Sequence, residues 1–248
     1  MNLTKNLKFG AYIFASTVLF AACSSDDGIQ STQEGTLKIM AKSGYGNSNG
    51  LKSANRLNEA VNVTSFLVNF KEIELELIDF DDDDTNNMYG SDDDIELQGP
   101  FIIDLMSAIN TPFANINIPN GTYEEIEFEF DKSTDSNSPM FGKSIKMSGD
   151  INGTPFVFWH NFEEEIEIDY EDSNTNLVVN NDANEIVINF NLNAVVGTTG
   201  LIDITSATDN DGDGIITISP EDLDGNNELA NALKNAIKAQ IELLDIED

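Results

Sequence analysis

Apolar residues at every second position dominate the chain from Val61 onward. The clearest runs set large apolar side chains against mainly Glu or Asn at the intervening positions, and they cover residues 66–77, 127–130, 165–170 and 186–193. A period of two is typical of β-strands with one buried face and one solvent-facing side. With a first strand at 37–41, the pattern predicts about eight to ten strands.

Two local features refine this pattern. Within the first run the apolar positions are even-numbered from 66 to 70 and odd-numbered from 73 to 77, which predicts a β-bulge near Lys71. Asn152-Gly153 lies between two apolar runs and predicts a hairpin, because both residues tolerate a positive φ. A turn is predicted at Pro119-Asn120-Gly121.

The C-terminus alone changes period. Apolar residues recur there every three or four positions: Leu229, Leu233, Ala236, Ile237, Ile241 and Leu244. This spacing predicts an amphipathic helix over about 227–245, within a C-terminal segment 227–248, with its apolar stripe packed on an open face or edge of the sheet. Since no linker divides residues 36–226, the predicted fold is mainly β: a single antiparallel β-sandwich followed by the C-terminal amphipathic α-helix.

Composition supports a folded body and excludes several classes of function. Among the 248 residues, 40% are hydrophobic and 15 are Phe, enough for a sizeable core. There are 45 Asp and Glu against 12 Lys and Arg, and a net charge of −33 opposes binding to nucleic acid or to an anionic membrane surface. The single Cys excludes a disulfide framework, and the single His leaves no His-rich metal site.

The N-terminus carries an export signal. Residues 1–22 combine two lysines, an apolar stretch at 11–20 and two small residues directly before Cys23. LFAAC resembles the lipobox of bacterial lipoproteins, although Phe20 stands where Leu is usual; in that family the cysteine sulfur receives a diacylglycerol after cleavage. We therefore predict a lipoprotein signal peptide at 1–22 and an acylated Cys23 with a flexible acidic tether at 23–35. The alternative is an ordinary signal peptide with an incidental cysteine.

The residues after Cys23 bear on location. CSSDD at 23–27 resembles the acidic tag that directs lipoproteins to the outer face in some Gram-negative bacteria. The predicted location is the outer membrane, with the acylated Cys23 anchored in the lipid bilayer and the body facing the cell exterior. An ordinary solvated tether is the alternative interpretation of this short motif.

Four segments carry a resemblance to a known family: FLVNFKEIEL at 66–75, GPFIIDL at 99–105, IPNGTYEEIEFEF at 118–130 and SIKMSGDINGTPFVF at 144–158. Their order resembles a family of uncharacterised bacterial lipoproteins, catalogued as a domain of unknown function with an immunoglobulin- or transthyretin-like β-sandwich. The resemblance covers about residues 35–205. It implies a fold and a location, and it supplies no catalytic residues.

The strongest chemical motif is DNDGDGIIT at 209–217, which is similar to the calcium loop of EF-hands. Ca²⁺ prefers six to eight hard oxygen ligands, which alternate acidic residues supply, while Gly214 permits the sharp turn. The predicted ligands are Asp209, Asp211, Asp213, the carbonyl of Ile215, Thr217 through a water, and Glu221 and Asp222.

The motif departs from an EF-hand in two respects. Pro220 occupies the twelfth position, so the last ligand would move to Glu221, Asp222 or Asp224. Residues 201–208 resemble a strand where an EF-hand has a helix, and Ser219-Pro220-Glu221-Asp222 resembles a helix start. The alternative is an acidic surface turn in loop 209–222 that binds no specific ion.

The remaining polar clusters favour structural interpretations. The acidic cluster at 79–94 is typical of a solvated hairpin tip, and Glu163, Glu164, Glu165, Glu167 and Asp169 are typical of the solvent face of a strand. His160 has no nucleophile motif near it, and the chain contains no P-loop or dinucleotide fingerprint. One Trp and five Tyr are few for the aromatic cleft of a glycosidase.

These observations predict a non-enzymatic lipoprotein of the outer membrane and cell surface. Its body would be a Ca²⁺-stabilised binding or structural module whose partner is an envelope protein or an extracellular glycan. A structural subunit of a larger surface assembly is a second possibility. A calcium-dependent extracellular hydrolase acting on a glycan or peptide is the alternative from another class.

Overall fold

The period-two pattern produces two β-sheets packed together in a computed structural model of the chain, which describes residues 34–45, 60–77, 95–106, 111–169, 177–181, 183–221 and 223–245. The strands are β1 (Glu34–Ser43), β2 (Val61–Leu77), β3 (Ile95–Asp104), β4 (Thr111–Pro119), β5 (Gly121–Phe130), β6 (Ile145–Ile151), β7 (Thr154–His160), β8 (Glu164–Asp169), β9 (Leu177–Val179), β10 (Ala183–Phe190), β11 (Ile216–Ile218) and β12 (Ile241–Asp245). The helices are α1 (Leu192–Val196) and α2 (Asn227–Lys238), with a 3-10 turn at Ile204–Ser206.

The smaller sheet has the order β12-β10-β1-β4, and the larger sheet has the order β11-β7-β6-β2-β5-β8. Strand β3 also pairs with β2, and β9 pairs with β5. The fold is mainly β and sandwich-like with a C-terminal helix, as predicted. Most pairs are antiparallel, but β1 with β10 and β7 with β11 are parallel.

Strand β2 is the centre of the larger sheet, and the predicted bulge lies within it. Its register shifts between Phe70 and Glu72 against both β3 and β5, so Lys71 is the extra residue. The shift keeps Phe70 and Ile73 both buried in the core on opposite sides of the bulge. Strand β6 pairs with residues 61–68 of β2 and β5 pairs with residues 70–77, so β5 and β6 follow each other along β2.

The core is rich in phenylalanine. Phe70 has its ring centroid 4.7 Å from that of Phe130 on the larger sheet and 6.3 Å from that of Phe190 on the smaller sheet. Phe66 also contacts Phe190, edge to face at 5.8 Å. Burial of each such ring contributes about 1.5–3 kcal/mol, so these aromatic side chains hold the two sheets together.

Both predicted turns are present. Asn152 has a φ of 53° and Gly153 a φ of 81°, and they join β6 to β7 as the hairpin expected from the sequence. The turn at 119–121 connects β4 of the smaller sheet to β5 of the larger sheet, so it carries the chain from one sheet to the other.

Three predicted elements are wrong in detail near the C-terminus. Helix α2 begins at Asn227 but ends at Lys238, and residues 241–245 form β12, because the open edge of β10 offers them backbone hydrogen-bond partners. Residues 201–208 are not a strand: Asp203 accepts a hydrogen bond from the N–H of Thr205 and begins the 3-10 turn. The predicted helix start at 219–222 is also wrong, since residues 219–221 form a bend and turn and α2 begins only at Asn227.

Several predictions lie outside the described residues: the signal peptide 1–22, Cys23 with its acidic tag, the acidic cluster at 79–94, and Asp222. Within the described ranges, no helix is both long and apolar enough to cross a membrane.

Candidate calcium loop and acidic sheet face

Three of the predicted calcium ligands converge in the loop before β11. Carboxylate oxygens of Asp209, Asp211 and Asp213 all lie within 4.8 Å of one another. Gly212 and Gly214 have φ angles of 76° and 91°, a conformation that favours glycine and lets the chain turn beneath the carboxylates. This is the spacing that one cation needs to contact all three side chains.

The same carboxylates organise the loop backbone. Asp209 accepts the N–H of Gly212 at 2.8 Å through Oδ1 and that of Gly214 at 3.0 Å through Oδ2. Asp211 Oδ1 accepts the N–H of Asp213 at 3.1 Å, and Asp213 Oδ1 accepts the N–H of Ile215 at 2.8 Å. Because Asp211 and Asp213 each use only Oδ1 in these bonds, the three converging carboxylates fit a hard cation.

The other predicted ligands are placed differently. Ile215 and Glu221 are exposed, and Glu221 does not belong to the group of converging carboxylates among the described residues. Thr217 lies in β11, where its N–H donates to Asp224 Oδ2 at 2.7 Å. The structure therefore brings together the three aspartates and does not identify the last ligand.

Asp224 anchors the loop. The side chain is 2% exposed, and its Oδ1 accepts the N–H of Asn210 at 2.9 Å and of Asp211 at 3.1 Å. Burial raises the pKa of the Asp224 carboxyl, but the three N–H donors, including that of Thr217, outweigh burial and lower the pKa below its usual value. Both oxygens serve backbone donors, so Asp224 holds the loop backbone in place; its role as the last calcium ligand stays a prediction.

Sequence reasoning missed Asn226, which joins the loop to α2. Its Nδ2 donates to the carbonyls of Thr208 at 2.9 Å and Thr217 at 2.7 Å, and its Oδ1 accepts the N–H of Thr208 at 3.2 Å. The only signal was an Asn directly before the apolar period of the helix. Asp224 and Asn226 together fix the loop against β11 and the start of α2.

A second acidic feature covers part of the outer side of the larger sheet, on β2, β3, β5 and β8, and is called the acidic face. On this face glutamates of neighbouring strands stand directly opposite one another. The pairs are Glu72–Glu129, Glu74–Glu96, Glu74–Glu127, Glu76–Glu125, Glu127–Glu167 and Glu129–Glu165. A shallow groove of about 220 Å³ runs between these side chains. Like charges directly opposite each other destabilise a sheet, so this face is a region of electrostatic strain.

The strain is greatest around Glu125, whose carboxylate lies within 4.8 Å of those of Glu127 and Glu167. Burial raises the pKa of the Glu125 carboxyl to about 8, and the hydrogen bond with Glu127 and the charges of Glu167, Glu127 and Glu76 act in the same direction. The sequence shows the alternating glutamates but not their register, so it could not reveal this cluster.

One residue of the predicted solvent face of β8 points elsewhere. Glu165 and Glu167 are exposed as expected, but Glu164 accepts hydrogen bonds from Lys234, at 2.7 Å, and from Lys238 on α2. The hydrogen bonds of these two ion pairs, that of Lys234 first, lower the pKa of the Glu164 carboxyl, and the pairs connect α2 to β8.

His160 is the last residue of β7, and its side chain contacts α2. Its Nδ1 accepts the N–H of Asn161 at 3.0 Å, so the ring proton lies on Nε2, which faces Asn231 Oδ1 at 3.3 Å. Burial lowers the pKa of the His160 imidazole, and the charge of Lys234 acts in the same direction. The residue is 7% exposed, and its contacts are those of a structural histidine.

Glu125 gives a pH-dependent prediction. Its folded-state pKa of about 8 lies above the ordinary value of 4.5, so the folded protein binds more protons than the unfolded chain between these values. The contribution of Glu125 to stability is present below pH 4.5 and is lost as the pH rises through 8. We expect Glu125→Gln to reduce the loss of unfolding free energy between pH 6 and pH 9, measured by urea denaturation.

Glu185→Gln is the control for this prediction, because Glu185 lies on the smaller sheet, where it pairs with Lys38 at 2.8 Å. Identical pH profiles for the wild type and Glu125→Gln would contradict the prediction.

Comparison of the chain with protein-family models gave no match, and comparisons with curated proteins and with solved structures gave none either.

Proposed function

We propose that this protein is a non-enzymatic, lipid-anchored lipoprotein of the outer membrane that faces the cell exterior. Its β-sandwich would serve as a binding or structural module for an envelope protein or an extracellular glycan, and Ca²⁺ in the loop 209–222 would stabilise it. The observation that carries the calcium proposal is the convergence of three aspartate carboxylates within 4.8 Å. The anchor proposal rests on the position of the only cysteine directly after the predicted signal peptide.

The proposed ion would be held by Asp209, Asp211 and Asp213, with the carbonyl of Ile215 and either Glu221 or Asp222 completing the shell. Three carboxylates this close repel one another, and a bound Ca²⁺ would offset that repulsion because it attracts each of them. The same loop is tied to β11 and α2 through Asp224 and Asn226. Binding would therefore stabilise the folded C-terminal part of the domain by mass action.

Calcium titration calorimetry on soluble 24–248 tests the site. We expect one saturable site, and a melting temperature that rises in Ca²⁺, and we expect both to be lost in Asp211→Ala/Asp213→Ala. Glu165→Gln/Glu167→Gln removes the same charge from the acidic face and should keep both effects. Equal weak heats in all three proteins would show that the cation is attracted only by net charge, and the calcium proposal would fail.

The anchor is tested by Cys23→Ala in the full-length chain. Because the lipid is attached through the cysteine sulfur, we expect the variant to accumulate as an unprocessed precursor that incorporates no radiolabelled fatty acid. The full-length Glu185→Gln variant, in which Cys23 is unchanged, serves as the control. A normally acylated, membrane-bound Cys23→Ala protein would rule out the lipoprotein proposal.

A calcium-dependent extracellular hydrolase acting on a glycan or peptide is the second candidate, and one observation favours it. Glu125 has a raised pKa beside Glu127 and Glu167, and pairs of carboxyls with separated pKa values carry out acid–base catalysis in glycosidases. The groove beside them is shallow and lined by glutamates, which supply no apolar surface for a substrate. Conversion of a glycan or peptide panel that is lost in Glu125→Gln would favour this candidate.

A further inference from the structure

The outer side of the larger sheet has a second region, on β6 and β7, whose chemistry is opposite to that of the acidic face. Lys146 stands in register between Trp159 of β7 and Leu67 of β2. Lys143 lies with its Nζ 5.2 Å from the centroid of the Trp159 ring and donates a hydrogen bond to the carbonyl of Phe141 at 3.1 Å. Phe141 is 53% exposed. We call these four residues, Phe141, Lys143, Lys146 and Trp159, the lysine–aromatic patch.

The lysines of this patch differ from most others in the part of the chain that the structure describes. Five lysines form ion pairs with glutamates: Lys38, Lys71, Lys132, Lys234 and Lys238. Among the described residues, no carboxylate lies within ion-pair distance of Lys143 or Lys146. Burial lowers the pKa of the Lys143 ammonium, and the charge of Lys146 acts in the same direction.

In a chain of net charge −33, it is unexpected that Lys143 and Lys146 have no ion pair with a carboxylate among the residues that the structure describes. An anion bound between them would relieve their mutual repulsion and would be held by charge-assisted hydrogen bonds. The half-buried ring of Trp159 and the exposed ring of Phe141 offer apolar surface, and the indole N–H of Trp159 is a hydrogen-bond donor. A ligand that satisfies the whole patch therefore combines an anionic group, apolar surface and a hydrogen-bond acceptor, and a sugar ring that bears a carboxylate has all three.

The acidic face limits the length of such a ligand. Its glutamates on β5 and β8 lie on strands that continue the rows of β6 and β7 on the same sheet. A long polyanion lying on the lysine–aromatic patch would extend towards the glutamates and be repelled. The charge pattern favours a ligand with one carboxylate at its end, in a chain that is otherwise neutral.

From charge complementarity and the exposed aromatic surface, we propose that the lysine–aromatic patch binds glycans that end in a uronic acid. The carboxylate would contact Lys143 and Lys146, and the sugar rings would lie against Phe141 and Trp159. This inference rests on the proposed function as a binding module and selects a glycan as its partner. It does not depend on the calcium loop.

The probe is an aldobiouronic acid, glucuronic acid linked to xylose, titrated into the protein by calorimetry with and without Ca²⁺. We expect saturable binding that falls at least about tenfold in Lys143→Gln/Lys146→Gln and at least about threefold in Phe141→Ala. Lys38→Gln/Lys132→Gln removes the same charge from lysines that pair with glutamates and should bind as the wild type does. Melting temperatures of all variants show whether each is folded.

Three outcomes would overturn the proposal. If the neutral disaccharide xylobiose bound with equal affinity, the lysines would not recognise the carboxylate. If a short Asp-containing peptide bound with equal affinity, the partner would be an acidic protein segment and not a glycan. No binding of the acidic disaccharide to the folded wild type would refute the patch as a glycan site. Absence of a saturable calcium heat in the wild type, with glycan binding retained, would count against the calcium proposal alone.

Discussion

Replacing Phe70 by alanine should lower the free energy of unfolding by about 3–5 kcal/mol, the range for deleting a large aromatic side chain from a packed core. Phe70 is fully buried, and its ring meets Phe128, Phe130, Phe113 and Phe190 at centroid distances of 5.4, 4.7, 6.2 and 6.3 Å. Because these partners belong to both sheets, the cavity would weaken the contact that joins the sheets.

Urea denaturation followed by tryptophan fluorescence measures this loss. Phe141→Ala is the matched control: it removes the same atoms from a ring that is 53% exposed, and it should change the free energy of unfolding by about 0.5 kcal/mol or less. Phe70→Leu should lose less than Phe70→Ala, because it fills part of the cavity. Equal losses in Phe70→Ala and Phe141→Ala would contradict the packing of the two sheets described above.

Replacing Asp224 by alanine should cost about 3 kcal/mol or more, even when EDTA removes all divalent cations. Three backbone N–H groups, of Asn210, Asp211 and Thr217, would lose the buried carboxylate that accepts them, and a donor left without a partner costs up to about 1–3 kcal/mol. The loss would fall on the connection between the loop 209–222, β11 and α2.

Asp213→Ala is the control for this prediction, because Asp213 is exposed and accepts only the N–H of Ile215 among the hydrogen bonds described. In EDTA it should be nearly neutral, whereas in Ca²⁺ it should lose the stabilisation that the ion provides. Asp224→Asn should lie between the two, since it keeps Oδ1 but turns a donor towards one N–H. If Asp224→Ala and Asp213→Ala were equally stable in EDTA, Asp224 would not be the anchor of the loop.

Local patterns predicted the strands well where one strand face is buried and the other is solvated. The bulge at Lys71 follows from a parity change that leaves no alternative if both halves of β2 are to face the core. The hairpin at Asn152-Gly153 follows from the positive φ that both residues accept. Each of these predictions depends only on residues that are neighbours in the chain.

Prediction failed where distant partners decided the local conformation. Ile241 and Leu244 continue the helical period, yet residues 241–245 pair with the edge of β10 and form β12. Residues 219–222 carry good helix-start residues, but Asn226 bonds to Thr208 and Thr217 and α2 begins directly after it. Short segments have weak intrinsic preferences, so tertiary hydrogen bonds outweigh them.

The sequence alone determined the β-class fold, the face of each main strand that enters the core, and the identity of the three converging aspartates. These features depend on alternation along the backbone and on short spacings, which are local properties of the chain. Only the tertiary structure decided that the glutamates of four strands form one acidic face, that Asp224 serves backbone donors, and that Lys143, Lys146 and Trp159 meet. Those arrangements depend on strand register and loop closure, which are set by hydrogen bonds between residues far apart in the chain.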